Sequence, residues 1–196
     1  SNYILKTDLL KQIKDGQIDL DNIGLNTIDE KQILKCYTSP MEELKEAVSS
    51  NKKVLAVFIK WARDRVVLSD GTDMERLAQW MEKNEDVYIS LRSYEKDESI
   101  FMKIKEDYRE LLDRFIVEMT DFEHHIKLSN NAYKNIVLNL VNTKYSKEEV
   151  LEFLKRTPLK AVIISKDYMD MKFIKAIKSL NIPVYVELEE SFSQAG

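Results

Sequence analysis

The sequence predicts an α/β chain assembled from repeated strand–helix units, and two observations carry that prediction. The first is the stretch Leu159–Leu188, where two short apolar runs, Ala161–Ile164 and Pro183–Val186, flank an amphipathic segment, Asp167–Leu180. Within that segment Tyr168, Met171, Phe173, Ile174, Ile177 and Leu180 recur at helical spacing, so one helix covers two strands. Strands that are apolar throughout are expected where both sheet faces are covered, and a crossover helix makes its two strands run parallel. The second observation is that this unit recurs along most of the chain.

Residues 1–31 form an N-terminal helical extension or linker, with Thr7 as candidate N-cap and Leu9, Leu10 and Ile13 on one helical face. The repeat then begins with Ile33–Tyr37 as strand one. Ser39-Pro-Met-Glu42 predicts a capping box with proline in the first helical turn, and Met41, Leu44, Ala47 and Val48 form that helix's apolar face. Val54–Ile59 is strand two. Arg63–Arg65 is a tight connection to strand three, Val66–Leu68, with no room for a helix between them. Thr72-Asp-Met-Glu75 predicts a second capping box, Met74, Leu77, Ala78 and Met81 the stripe behind it, and Val87–Leu91 strand four.

Ile100, Phe101, Ile104, Tyr108, Leu111 and Leu112 predict one long helix. Phe115–Met119 follows as strand five, Phe122–Leu128 as a short helix and Ile136–Val141 as strand six. Ser146-Lys-Glu-Glu149 predicts a third capping box, opening a helix through Val150, Leu151, Phe153 and Leu154 to the break at Pro158. The pair of runs described first supplies strands seven and eight. Eight strands in about 155 residues predict a compact (β/α)8, TIM-like barrel spanning residues 32–190, with one helix missing between strands two and three and a tail at 191–196. A doubly wound open parallel sheet is the alternative.

Composition narrows the partners. The chain of 196 residues carries 30 Lys+Arg against 34 Asp+Glu, a formal charge of −4, with basic residues interspersed among acidic ones, so no nucleic-acid surface is expected. No apolar run approaches the length of a membrane span. The opening Ser1-Asn2 has the look of a cloning remnant on an excised domain, and the expectation is a soluble domain, cytoplasmic or the extracytoplasmic part of a membrane-anchored protein. The single cysteine, Cys36, excludes an internal disulfide. With four glycines and no Gly-x-Gly-x-x-Gly or Walker sequence, no nucleotide cofactor is expected.

The order of elements, with a helix skipped after strand two, resembles the glycerophosphodiester phosphodiesterase family. The pattern is strongest at Asp121-Phe-Glu after strand five, at Val162-Ile-Ile before a helix, and at Ile182-Pro-Val-Tyr-Val. The resemblance implies a TIM-like barrel and, in the family, metal-dependent phosphodiester hydrolysis. It also implies which positions matter. The family's first strand ends in His-Arg-Gly, where this chain has Cys36-Tyr37-Thr38; its Glu-x-Asp metal ligands fall on Ala56 and Phe58. Its His-Asp pair falls on Ser69 and Asp70, and its Glu-x-Lys on Ser90-Leu91-Arg92. Without the acid/base histidines and the carboxylate ligands, the usual metal-assisted route has no parts to run on. A degenerate, non-catalytic binding or regulatory domain of a larger bacterial protein is therefore expected, with no metal and no cofactor, alongside other domains of the same polypeptide.

Candidate ligand-binding residues come from the strand ends, where barrels of this class gather their sites: Tyr37, Lys60, Asp70, Arg92, Asp121, Asn142, Ser165 and Glu187. Their mixture of cations, carboxylates and hydroxyls suits a polar or anionic small ligand such as a sugar or phosphosugar, and equally suits internal ion pairing. Of these, Tyr37, Asp70, Arg92, Asp121 and Glu187 are the residues expected to bind the ligand. Arg92 is expected to pair with Asp70 or Glu118. The alternative function is a phosphodiester or glycosidic hydrolase with a re-invented site, using Asp70, Asp121 and Glu187 around a cation or Glu118 with Arg92. His124 and His125, adjacent on a helix, point about 100° apart and do not make a metal pair. Trp61 and Trp80 read as packing residues, and Cys36 as a small buried thiol.

Overall fold

The computed structural model describes residues 33–34, 36–37, 40–49, 54–165 and 170–187. In chain order these form β1 (Ile33–Leu34), β2 (Cys36–Tyr37), α1 (Pro40–Ser49), β3 (Val54–Ala62), β4 (Arg65–Leu68), α2 (Met74–Lys83), β5 (Tyr88–Ser93) and α3 (Ser99–Asp107). A 3-10 turn at Arg109–Arg114 leads to β6 (Phe115–Met119), and a second one at Phe122–His124 leads to α4 (His125–Asn130). Then come β7 (Asn135–Asn139), α5 (Lys147–Arg156), β8 (Ala161–Ser165), α6 (Met171–Lys178) and β9 (Val184–Glu187). The expected N-terminal extension, the Ser39 cap, Asp167, Tyr168 and the C-terminal tail lie outside the described residues.

The chain divides into two compact units, residues 36–136 and residues 1–35 with 137–195. In the first, β2 pairs parallel with β3 (Cys36 opposite Ala56), β3 with β5 (Phe58 opposite Arg92) and β5 with β6 (Ser90 opposite Ile116). Leu55 through Ile59 are all buried, as a strand covered on both faces requires. α1 turns Met41, Leu44 and Ala47 inward, with Val48 half-buried, and α2 buries Met74, Leu77, Ala78 and Met81.

The connection at Arg63–Arg65 makes the expected third strand run backwards. β4 lies antiparallel to β3, with Ala62 opposite Arg65 and Ile59 opposite Leu68, because a two-residue turn joins only antiparallel neighbours. Arg63 adopts φ 61° in that turn. The strand that pairs parallel with β3 is therefore the next one, β5.

Two helix boundaries differ from expectation for local reasons. The cap of α2 is Asp73, not Thr72: the Thr72 amide donates to Asp70 Oδ1 at 3.0 Å and its carbonyl accepts from Leu68 N at 2.8 Å, which holds Thr72 in the loop. Asp73 then accepts from Glu75 N. The long helix expected through Leu112 breaks at Tyr108 (φ −133°, ψ 45°), and the 3-10 turn beyond it buries the adjacent pair Leu111 and Leu112, 4% and 5% exposed. The box at Ser146 forms as expected, with both reciprocal hydrogen bonds to Glu149.

In the second unit, β1 pairs with β9, β9 with β8 and β8 with β7, all parallel. β8, α6 and β9 thus form the expected parallel βαβ unit, with Phe173, Ile174 and Ile177 of α6 buried. Asp170 caps α6, its Oδ1 accepting from Lys172 N and Phe173 N, while Oδ2 meets Lys147 Nζ of α5 at 2.9 Å. One carboxylate therefore both starts a helix and ties it to its neighbour.

Candidate functional site

In a strand, residues two apart share a face, so Ala56 and Phe58, Ser90 and Arg92, and Ile116 and Glu118 line one face of the sheet formed by β3, β5 and β6. On that face a buried polar cluster forms. Arg92 Nε donates to Glu118 Oε1 at 2.5 Å, and Ser90 Oγ donates to Glu118 Oε2 at 2.5 Å. The Arg92 and Glu118 side chains are 0% exposed. Arg92 takes the second of the two partners expected for it.

An aromatic pair continues the cluster. The Arg92 guanidinium carbon lies 5.8 Å from the centroid of the Phe58 ring, within cation–π range. Phe58 stacks in turn on Tyr94, ring centroids 4.7 Å apart and planes 8° from parallel. Phe58 is 2% exposed and Tyr94 39%, so the series runs from the buried ion pair out to solvent.

Asp70 is exposed, its Oδ1 engaged by the Thr72 amide, and with Met41, Glu42, Thr72 and Arg76 it lines a cleft of about 220 Å³. Asp121 is half-buried and caps the 3-10 turn through Glu123 N at 3.0 Å. Glu187 is buried on β9, opposite Ser165 of β8. The Tyr37 backbone pairs with Val57, and its side chain lies outside the description. Lys60 and Asn142 are exposed, and Asn142 adopts φ 64°. Among the described residues no three of His, Cys, Asp and Glu converge into a group able to hold a metal ion.

The loops after β5 and β6 carry further charge. Asp97 accepts from the Ser99 hydroxyl at 2.7 Å and from its amide at 3.0 Å, and these bonds, with His124 and Lys127 nearby, hold its carboxyl below the ordinary range. Lys127 Nζ lies 3.7 Å from the buried Glu98. Burial pushes the His125 imidazole down.

The cation set implied by the family resemblance does not fit these residues. Its strand-two positions hold a methyl group, Ala56, and a stacked phenyl ring, Phe58. Both oxygens of Glu118, the carboxylate on this face, are taken by Arg92 and Ser90. A hard divalent cation needs several oxygen ligands, and here a guanidinium supplies the positive charge.

The aromatic pair was not legible as a site in the sequence. Ser90-x-Arg92-x-Tyr94 does carry a signal, since polar residues at period two on an otherwise apolar strand mark one face. Phe58, which reads in sequence only as a missing ligand, becomes its partner through strand register.

No family model and no curated protein matches the sequence. Among solved structures, the chain is similar to one assigned as a glycerophosphodiester phosphodiesterase from Galdieria sulphuraria, with a TM-score of 0.67 at 10% identity, covering 85% of this chain and 87% of that one. It is also similar to a glycerophosphoryl diester phosphodiesterase from Parabacteroides distasonis ATCC 8503, with a TM-score of 0.48 at 9% identity, covering 89% and 90%. The first likeness shows a shared α/β fold, of the TIM-like class expected from the sequence. No helix among the described residues is long and apolar enough to cross a membrane.

Proposed function

We propose that this chain is a non-hydrolytic binding or regulatory domain on a glycerophosphodiester phosphodiesterase-type scaffold, taking a polar or anionic small ligand such as a sugar or phosphosugar. The observation that carries the reading is the cluster Ser90–Glu118–Arg92 with Phe58. It puts a buried ion pair and a phenyl ring on the sheet face where the resemblance implies metal ligands. Metal-assisted hydrolysis needs a cation to polarise the phosphoryl oxygens and an acid/base pair to move protons, and these residues supply neither.

The test is calorimetric titration with Ca²⁺ and Mg²⁺, run beside hydrolysis assays on glycerophosphocholine and glycerophosphoglycerol. The expected result is no binding tighter than about millimolar and no turnover above the protein-free rate. Turnover abolished by a chelator would overturn the reading. It would favour the hydrolase alternative instead.

A further inference from the structure

The parallel register of β3 and β5 sets Phe58 opposite Arg92 and ends with Ile59 opposite Ser93, and the next residues along are Lys60 on β3 and Tyr94 just past β5. Lys60 shares a strand face with Phe58, two residues away, and its side chain is exposed. Tyr94 stands just past the end of β5, and Thr120, equally exposed, just past the end of β6. An aromatic ring, an ammonium and a hydroxyl thus occupy the rim of the face whose next layer inward is Phe58, Arg92 and Glu118.

The Tyr94 ring is unusually well placed for an exposed side chain. It lies 8° from parallel on Phe58, which is itself buried and held beside the Arg92 guanidinium, which Glu118 fixes in turn. A ring ordered before binding loses little further rotamer freedom when a ligand lands on it. Flat aromatic surface matches the C–H faces of a pyranose or furanose, and an adjacent ammonium matches an anionic substituent on that ring.

We propose that the exposed ring of Tyr94, backed by Phe58 and flanked by Lys60, is the platform on which the ring of a phosphorylated sugar docks. The inference rests on the binding-domain reading and specifies its ligand class and position. Tyr94 supplies the stacking surface, and Lys60 supplies the preference for a phosphate-bearing sugar.

The test uses ligand-observed NMR on the full chain with three probes: glucose 6-phosphate, glucose and inorganic phosphate. Saturation transfer to the pyranose ring protons reads the stacked face, and ³¹P line broadening reads the phosphate. Wild type is expected to saturate the ring protons of glucose 6-phosphate more strongly than those of glucose. Tyr94→Ala is expected to weaken binding of both sugars by about tenfold or more. Lys60→Gln is expected to keep glucose binding and remove the advantage of the phosphorylated sugar, which tests the site even if Tyr94→Ala fails to fold. Three results would each overturn the proposal: no saturation transfer to either sugar, sugar binding by folded Tyr94→Ala equal to wild type, or a phosphate advantage unchanged in Lys60→Gln. Turnover of glycerophosphocholine would sink the non-hydrolytic reading while leaving the platform to be judged by these variants alone.

Discussion

Arg92 and Glu118 form a fully buried ion pair across the neighbouring parallel strands β5 and β6, at 2.5 Å, with the Ser90 hydroxyl bound to the second carboxylate oxygen. Desolvating two charges is costly, and such a pair holds only because each charge meets the other with good geometry. Removing one partner strands the other. Glu118→Ala is expected to destabilise the fold by about 3–5 kcal/mol, while the double replacement Arg92→Met with Glu118→Leu costs far less than the sum of the singles. Urea unfolding of wild type, Glu118→Ala, Arg92→Met, Glu118→Leu and the double variant is the measurement. A Glu118→Ala cost under about 1 kcal/mol would mean the pair is not the crosslink described.

Asp170 gives the second unit a pH-sensitive joint. Its carboxyl is held below the ordinary aspartate range, chiefly by the hydrogen bond from Lys147 and then by the Phe173 amide. A depressed folded-state value means the stabilisation is fully present above the unfolded-state value and is lost as pH falls through the folded one. Asp170→Asn is therefore expected to be less stable than wild type at pH 7, with the difference shrinking as pH falls below the ordinary aspartate range and narrowing in high salt. Paired thermal melts across that range would show it. A gap that stays constant with pH would remove the electrostatic account.

Gly71 follows β4 at φ 89°, donating its amide to the Leu68 carbonyl at 2.9 Å. A Cβ built there meets nothing within 4 Å, so crowding plays no part and the backbone conformation alone sets the cost of a side chain. Gly71→Ala is expected to lower stability by about 1–2 kcal/mol. Because this turn also presents Asp70 to the cleft shared with Glu42 and Arg76, the substitution tests whether that loop is locally set. Chemical denaturation, with backbone amide shifts of residues 68–73 as the local probe, measures both.

Local chemistry determined most of the elements. The Ser146–Glu149 box and the strand Phe115–Met119 follow from the residues alone, because a reciprocal cap and a short apolar run between turn signals involve only near neighbours. The skipped helix after β3 was equally legible, since Arg63–Arg65 leaves no residues to build one. Its consequence, an antiparallel β4, follows from the same turn but appears only when pairing is seen. Where several local partners compete, the sequence is ambiguous. Thr72 and Asp73 both suit a cap, and it is the bonds of Thr72 to Asp70 and Leu68 that decide. The candidate site lies further still from sequence. Arg92 was readable as a cation seeking a carboxylate, but choosing Glu118 over Asp70 needed the register of β6 against β5. The stack of Phe58 on Tyr94 joins residues 36 positions apart, Phe58 to Tyr94, which only parallel pairing of β3 and β5 brings together. Composition and periodicity act along the chain over a few residues, whereas a binding surface is made across strands, and so its parts are set by tertiary pairing.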